Sequence, residues 1–111
     1  EYAEAKKMAL HEVVQEYEQD QKGRSREEIY SGLSRAWDVM KDAVRTGLEE
    51  EMTSRSGMIN NGAKKVYRYP KAVLSPEFQR LIARALAAKE VNSCMGRVVA
   101  APTAGASGIM P

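Results

Sequence analysis

The strongest constraint on this chain is an apolar stripe that keeps helical spacing from Ile29 to Leu48. Ile29, Leu33, Ala36 with Trp37, Met40, Val44 and Leu48 recur in steps of three and four. That spacing puts them on one face of an α-helix and scatters them over both faces of a strand. Just upstream, Ser25-Arg26-Glu27-Glu28 has the make-up of a capping box: the Ser25 hydroxyl accepts from the Glu28 N–H while the Glu28 carboxylate returns to the Ser25 N–H. The spacing and the cap together predict a helix over residues 25–50. Trp37, the single tryptophan, is read as its core anchor. Gly32 and Gly47 each cost about 1 kcal/mol of helix propensity relative to Ala, so they are read as places where a neighbouring helix comes close.

Two further helices follow from the same reasoning. Residues 1–22 carry Ala5, Met8, Ala9, Val13 and Tyr17 at helical spacing, widened by Ala3, Leu10 and Val14, and Gly23 is the natural left-handed stop. His11 falls on this helix without a second ligand nearby and is read as a surface or packing residue. Ser75-Pro76-Glu77 opens a third helix, with a cap, a proline at its first position and an acid facing the positive dipole end. It runs over 75–95 through Phe78, Leu81, Ile82, Ala85 and Leu86, and its alanines point to burial between other helices. The expected fold class is therefore all-α: three long helices joined by polar loops and followed by a Gly/Ala-rich loop.

With 111 residues the chain has material for one modest core. Glu at position 1 and an apolar stop at Pro111 suggest a piece of a longer polypeptide. Seventeen basic against 15 acidic residues leave a net charge of +2, too nearly balanced for a strong nucleic-acid or membrane field. A single cysteine excludes an internal disulfide framework and suits a reducing, cytoplasmic setting. The longest uncharged apolar-rich run, Val98 to Pro111, is too short and too broken by Pro and Gly to span a bilayer.

Three stretches carry the candidate chemistry. The loop region 53–73 begins with Thr53-Ser54-Arg55-Ser56-Gly57-Met58-Ile59-Asn60-Asn61-Gly62. Either it is a plain helix connection, or Ser54, Ser56, Gly57 and Asn60 offer hydroxyl, N–H and amide groups to a small polar substrate. Lys64, Lys65, Arg68 and Lys71 interleave with Tyr67 and Tyr69, the composition of a short nucleic-acid patch. That patch is set against a solvated connection, which the chain's charge balance favours. The third stretch is the tail. From Val91 to Pro111 only Arg97 is charged, and Thr103-Ala104-Gly105-Ala106-Ser107-Gly108 makes a tight small-residue loop, read either as close backbone packing or as a cradle that a ligand can approach. A helix opening after Gly108 would add a seat for a carboxylate or phosphate.

The run from Glu90 to Pro111, E-V-N-S-C-M-G-R-V-V-A-A-P-T-A-G-A-S-G-I-M-P, resembles the signature of the iron–sulfur-dependent L-serine dehydratases, in their alpha chain or alpha domain. Glu49 to Gly62 is similar to that family's T-S-x-S-G-x-x-x-G-G region, with Asn61 before Gly62 in place of the usual glycine, and Val39 to Leu48 to the helix before it.

The resemblance implies elimination of water from L-serine to give pyruvate and ammonia. It implies substrate contacts at Ser54, Ser56, Gly57, Asn60, Thr103, Gly105, Ala106, Ser107 and Gly108, with folding bringing the two loops together. It also implies a [4Fe–4S] cluster held by cysteines, a beta chain or beta domain as partner, and an oligomer. Ser107 stands where family members often carry a cysteine that looks like a cluster ligand, and serine is a poor thiolate substitute. Three possibilities stay open: Cys94 supplies that thiolate, the ligands all lie beyond Pro111, or the cluster differs. The catalytic base has no candidate, and the segment alone is expected to be inactive. A pyridoxal-phosphate lyase is disfavoured because no lysine lies between Val91 and Pro111. The rival of another class is a non-catalytic helical module binding a partner or RNA through Lys64 to Lys71.

Overall fold

The computed structural model describes residues 2–70 and 73–110, excluding the side chain of Tyr2. Lys71 of the basic stretch and Pro111 of the tail lie outside the described residues. The architecture is all-α, with no strand among the described residues. Five helices follow in order: α1 (Tyr2–Lys6), α2 (Leu10–Lys22), α3 (Arg26–Glu49), α4 (Gly62–Arg68) and α5 (Pro76–Ser93), with a single 3-10 turn at Ala104–Ala106. The chain forms two compact units, residues 1–35 and 36–111, and α3 contributes to both.

In the first unit the expected continuous helix over 1–22 is broken. Lys7 takes a left-handed conformation, φ 53°, and the Met8 N–H returns to the Ala3 carbonyl at 3.0 Å, closing α1. The chain restarts at Ala9, whose side chain cannot cap. The Glu12 carboxylate does the work instead, accepting from the Ala9 N–H at 2.7 Å. Lys6 and Glu16 pair across the break at 2.9 Å. Gly23 ends α2 in the left-handed region with its N–H on the Gln19 carbonyl. Ser25 and Glu28 form the reciprocal capping box at 2.8 and 3.2 Å. No residue of α2 is buried: Leu10 and Val14, with Ile29 and Leu33 from α3, line an open groove.

The second unit is built on small residues. Its buried apolar set is Met40, Ala43, Ala63, Ala83, Ala87, Ala88 and Val91. Trp37 is 50% exposed, so the expected anchor of the α3 stripe is a half-covered surface ring, and Leu33 is 60% exposed. What α3 buries is the Met40, Ala43, Gly47 strip. A Cβ on Gly47 would lie 2.5 Å from the Ala87 carbonyl oxygen, so α3 and α5 meet backbone to backbone there. Gly32 has open space around it and marks no helix contact.

Residues 53–73, expected as loop throughout, contain α4. Its proline-free run Gly62–Arg68 packs against α5. α5 begins with Ser75 Oγ accepting from the Phe78 N–H and with Pro at the first helical position. It closes at Cys94 with Met95 left-handed, the Gly96 N–H on the Val91 carbonyl and the Met95 N–H on the Asn92 carbonyl. That is the two-bond left-handed helix stop. No described helix is long and apolar enough to cross a membrane.

Candidate functional site

α5 carries the candidate site. Its last two turns fasten both loops that the sequence singles out, through three near-successive side chains. Glu90 accepts from the N–H groups of Gly62 and Ala63 with Oε1, at 2.8 and 3.2 Å. Lys89 donates to the Gly105 carbonyl at 3.1 Å and Asn92 to the Ala104 carbonyl at 3.4 Å. Lys89 and Glu90 leave the helix about 100° apart, so one turn of α5 grips α4 on one side and the tail loop on another.

The turn before α4 is self-contained. Ser54 N–H donates to the Ile59 carbonyl, Gly57 N–H to the Ser54 carbonyl and Asn61 N–H to the Met52 carbonyl, and a lone bridge pairs Thr53 with Asn60. The Ser54 hydroxyl accepts from the Ile59 N–H at 3.1 Å and lies 3.2 Å from the Ser56 hydroxyl, which itself accepts from the Met58 N–H. Ser54, Ser56 and the Gly57 N–H therefore build the turn. Asn61 takes a left-handed φ of 53°, and its side chain closes the mouth by accepting from Met52 N–H at 2.7 Å and donating to Glu51 and Asn60. Asparagine tolerates that conformation nearly as glycine does.

Lys64, read from sequence as part of a solvated basic stretch, is buried. Its ammonium meets Glu51 Oε1 at 2.8 Å. That hydrogen bond, and then its charge, hold the Glu51 carboxyl below its ordinary range. Lys65 Nζ is engaged by the Asn60 carbonyl at 2.9 Å. Of the cations in the basic stretch, Lys64 and Lys65 are thus tied into the turn, while Arg68 stays exposed beside Tyr67 and Tyr69.

The tail loop lies along α5. Gly108 sits against the Ala85 backbone, where a Cβ would fall 2.5 Å from the carbonyl oxygen, and Thr103 Oγ1 faces Gly105. The Ala106, Ser107 and Ile109 N–H groups turn inward onto Thr103, Ala104 and Ala106 carbonyls. Ser107 is 3% exposed with its hydroxyl unpartnered. Ser107 to Ile109 are turn residues, so no helix N-terminus stands behind this loop up to Met110.

Cys94 is half-buried at the end of α5. Ser107 adjoins Gly108, which packs on the Ala85 backbone, nine residues or about 13.5 Å of helix before Cys94. Among the described residues no three His, Cys, Asp or Glu side chains gather where they could hold a metal ion. With one thiol in the chain, the described residues by themselves do not fit a four-iron cluster, which needs several thiolates.

The Serine dehydratase alpha chain family model matches residues 5–111. The chain belongs to the serine dehydratase alpha chain family. Its relatives agree: it is 35% identical over 105 residues to the L-serine dehydratase, alpha chain, of Peptoniphilus asaccharolyticus, covering 92% of this chain and 36% of that protein. It is 31% identical over 114 residues to the probable L-serine dehydratase, alpha chain, of Bacillus subtilis (strain 168), covering 100% and 38%. With the L-serine dehydratase TdcG of Escherichia coli (strain K12) it shares 35% over 96 residues, 79% of this chain and 21% of that one. The chain thus spans a little over a third of the alpha chains it matches. No solved structure matches it significantly.

Within this alpha chain segment, sequence reasoning missed the grips of Glu90, Lys89 and Asn92 and read Lys64 only as part of a basic stretch. For Glu90 a signal existed: Ala83, Ala87 and Glu90 fall at steps of four and three, one acid on an otherwise alanine face. An acid there is buried, and a buried acid needs donors.

Proposed function

We propose that this segment is one wall of the amino-acid site of an enzyme that deaminates L-serine to pyruvate and ammonia. Family membership supports the substrate class. The observation that supports the reading is the grip of one α5 turn on both the N-terminus of α4, which directly follows the 52–61 turn, and the 103–108 loop. A zwitterionic amino acid needs donors for its carboxylate and acceptors for its ammonium, held without reorganisation. In this reading two small-residue loops fixed to one helix frame that surface, and Ser54, Ser56, Gly57, Asn60, Thr103, Gly105, Ala106, Ser107 and Gly108 are its candidate members. In the reaction the α proton and the hydroxyl leave serine, and the enamine left behind hydrolyses to pyruvate and ammonia.

The iron–sulfur centre of this reading can draw only Cys94 from the segment, and its remaining thiolates come from outside it. The beta chain or beta domain completes the enzyme in the cytoplasm, and the 111-residue segment alone is inactive. The test is release of pyruvate from L-serine by the anaerobically purified enzyme carrying this segment with its beta portion. Pyruvate formation is the expected result, and a folded, iron-loaded complex that releases none overturns the reading.

A further inference from the structure

α4 has an unusual cap. Its own N-cap residue, Asn61, makes no side-chain bond to the helix, because its Oδ1 is spent on Met52 N–H and its amide on Glu51 and Asn60. The missing acceptor arrives from α5, 28 residues later in sequence: Glu90 Oε1 takes both the Gly62 and the Ala63 N–H. At the other end of α4, Gln79 Nε2 donates to the Val66 and Tyr69 carbonyls at 2.6 and 2.9 Å. A carboxylate at the positive end and amide donors at the negative end complement the helix dipole.

Glu90 is 5% exposed and its Oε2 has no partner. Capping a helix this way carries a cost, because Oε2 is buried without a hydrogen-bond partner. What the carboxylate gives in return is position. The two N–H groups it holds directly follow Asn61, the residue that shuts the 52–61 turn, so the carboxylate fixes where that turn stands relative to α5. The same turn of α5, through Lys89 and Asn92, fixes the tail loop. Gly62 fits this role: a Cβ there would lie 2.7 Å from Glu90 Oε1, so a larger residue would make the carboxylate shift from its place.

We infer that Glu90 is the positioning residue for amino-acid binding, acting through the α4 N-terminus on the 53–60 turn without touching substrate. The inference rests on the amino-acid site proposed above. It predicts a split that loss of stability alone would not produce. In the holoenzyme, Glu90→Ala raises KM for L-serine at least tenfold while kcat per folded molecule stays within threefold. Glu90→Gln, which keeps an acceptor oxygen for Gly62 and Ala63, returns KM to within threefold of wild type. Folded fraction is measured in parallel by circular dichroism, and amide exchange at Gly62 and Ala63 reports whether the grip is lost.

An unchanged KM in Glu90→Ala with faster exchange at both amides overturns the inference while leaving the site reading intact. A kcat loss of a thousandfold in both variants at constant KM also overturns it, making Glu90 a group of the chemical step. A wild-type holoenzyme that neither binds nor turns over L-serine overturns the site reading, and this inference with it.

Discussion

Residues 1–35 and 36–111 are both helical, but they reach compactness by opposite means. In the first unit the helices carry large apolar side chains and leave them open: Leu10 is 74% exposed and no residue of α2 is buried. Its order comes from surface devices, the Ser25–Glu28 box, the Glu12 cap on Ala9 and the Lys6–Glu16 pair. In the second unit the buried residues are mostly alanine, and glycines let backbones touch at Gly47–Ala87 and Gly108–Ala85. Side-chain size therefore says little about burial here. Close approach of backbones, and the polar grips it permits, set the second unit, with its candidate loops, apart from the first.

That contrast can be broken or sharpened by substitution. The largest effect is expected at Gly47→Ala, whose new methyl meets the Ala87 backbone. Overpacking there should cost about 2–3 kcal/mol in urea unfolding, and a cost below about 0.5 kcal/mol would deny the backbone contact. Next is Ser25→Ala in the first unit, which removes a cap and should cost about 1 kcal/mol, read from loss of helical ellipticity in a melt. Gly32→Ala should do the reverse. Nothing lies within reach of its Cβ, so the chain gains about 0.5–1 kcal/mol of helix propensity. Opposite signs at Gly32 and Gly47, two glycines of one helix, would be the sharpest demonstration of the difference.

The smallest effect is electrostatic. The Glu51 carboxyl is held below its ordinary value of 4.5 by Lys64. A depressed acid adds stability above its unfolded value and loses it as pH falls through the folded one. The stability difference between wild type and Lys64→Met should therefore be constant near neutrality and shrink on acidification below 4.5. A difference unchanged down to full protonation would remove the pair from the second unit's support.

The helices were legible because periodicity and caps are local. The α3 stripe, the Ser25 box and the Ser75-Pro76 start are each readable within a few residues. Burial was not, since Trp37 looks like an anchor in any list of side chains, while the glycine at position 47 shows its role only when α5 arrives 40 residues later. The break at Lys7 escaped notice because nothing local forbids a helix there. α4 was hidden by its lysines and tyrosines, whose composition suggests a solvated connection until Glu51 and Glu90 supply partners. The residues of both candidate loops were visible as small, polar and neutral runs. What holds them, Lys89, Glu90 and Asn92, was not, because hydrogen bonds spanning 12 to 28 residues leave no trace in local pattern.

The two-ended hold on α4 restricts how the neighbouring turn can move. Sliding α4 along α5 by a single residue would pull Gly62 from Glu90 and Val66 from Gln79 in the same step, so translation is blocked in both directions. Rotation of α4 about its own axis is opposed as well, because it would carry Gly62 and Ala63 away from the same carboxylate oxygen.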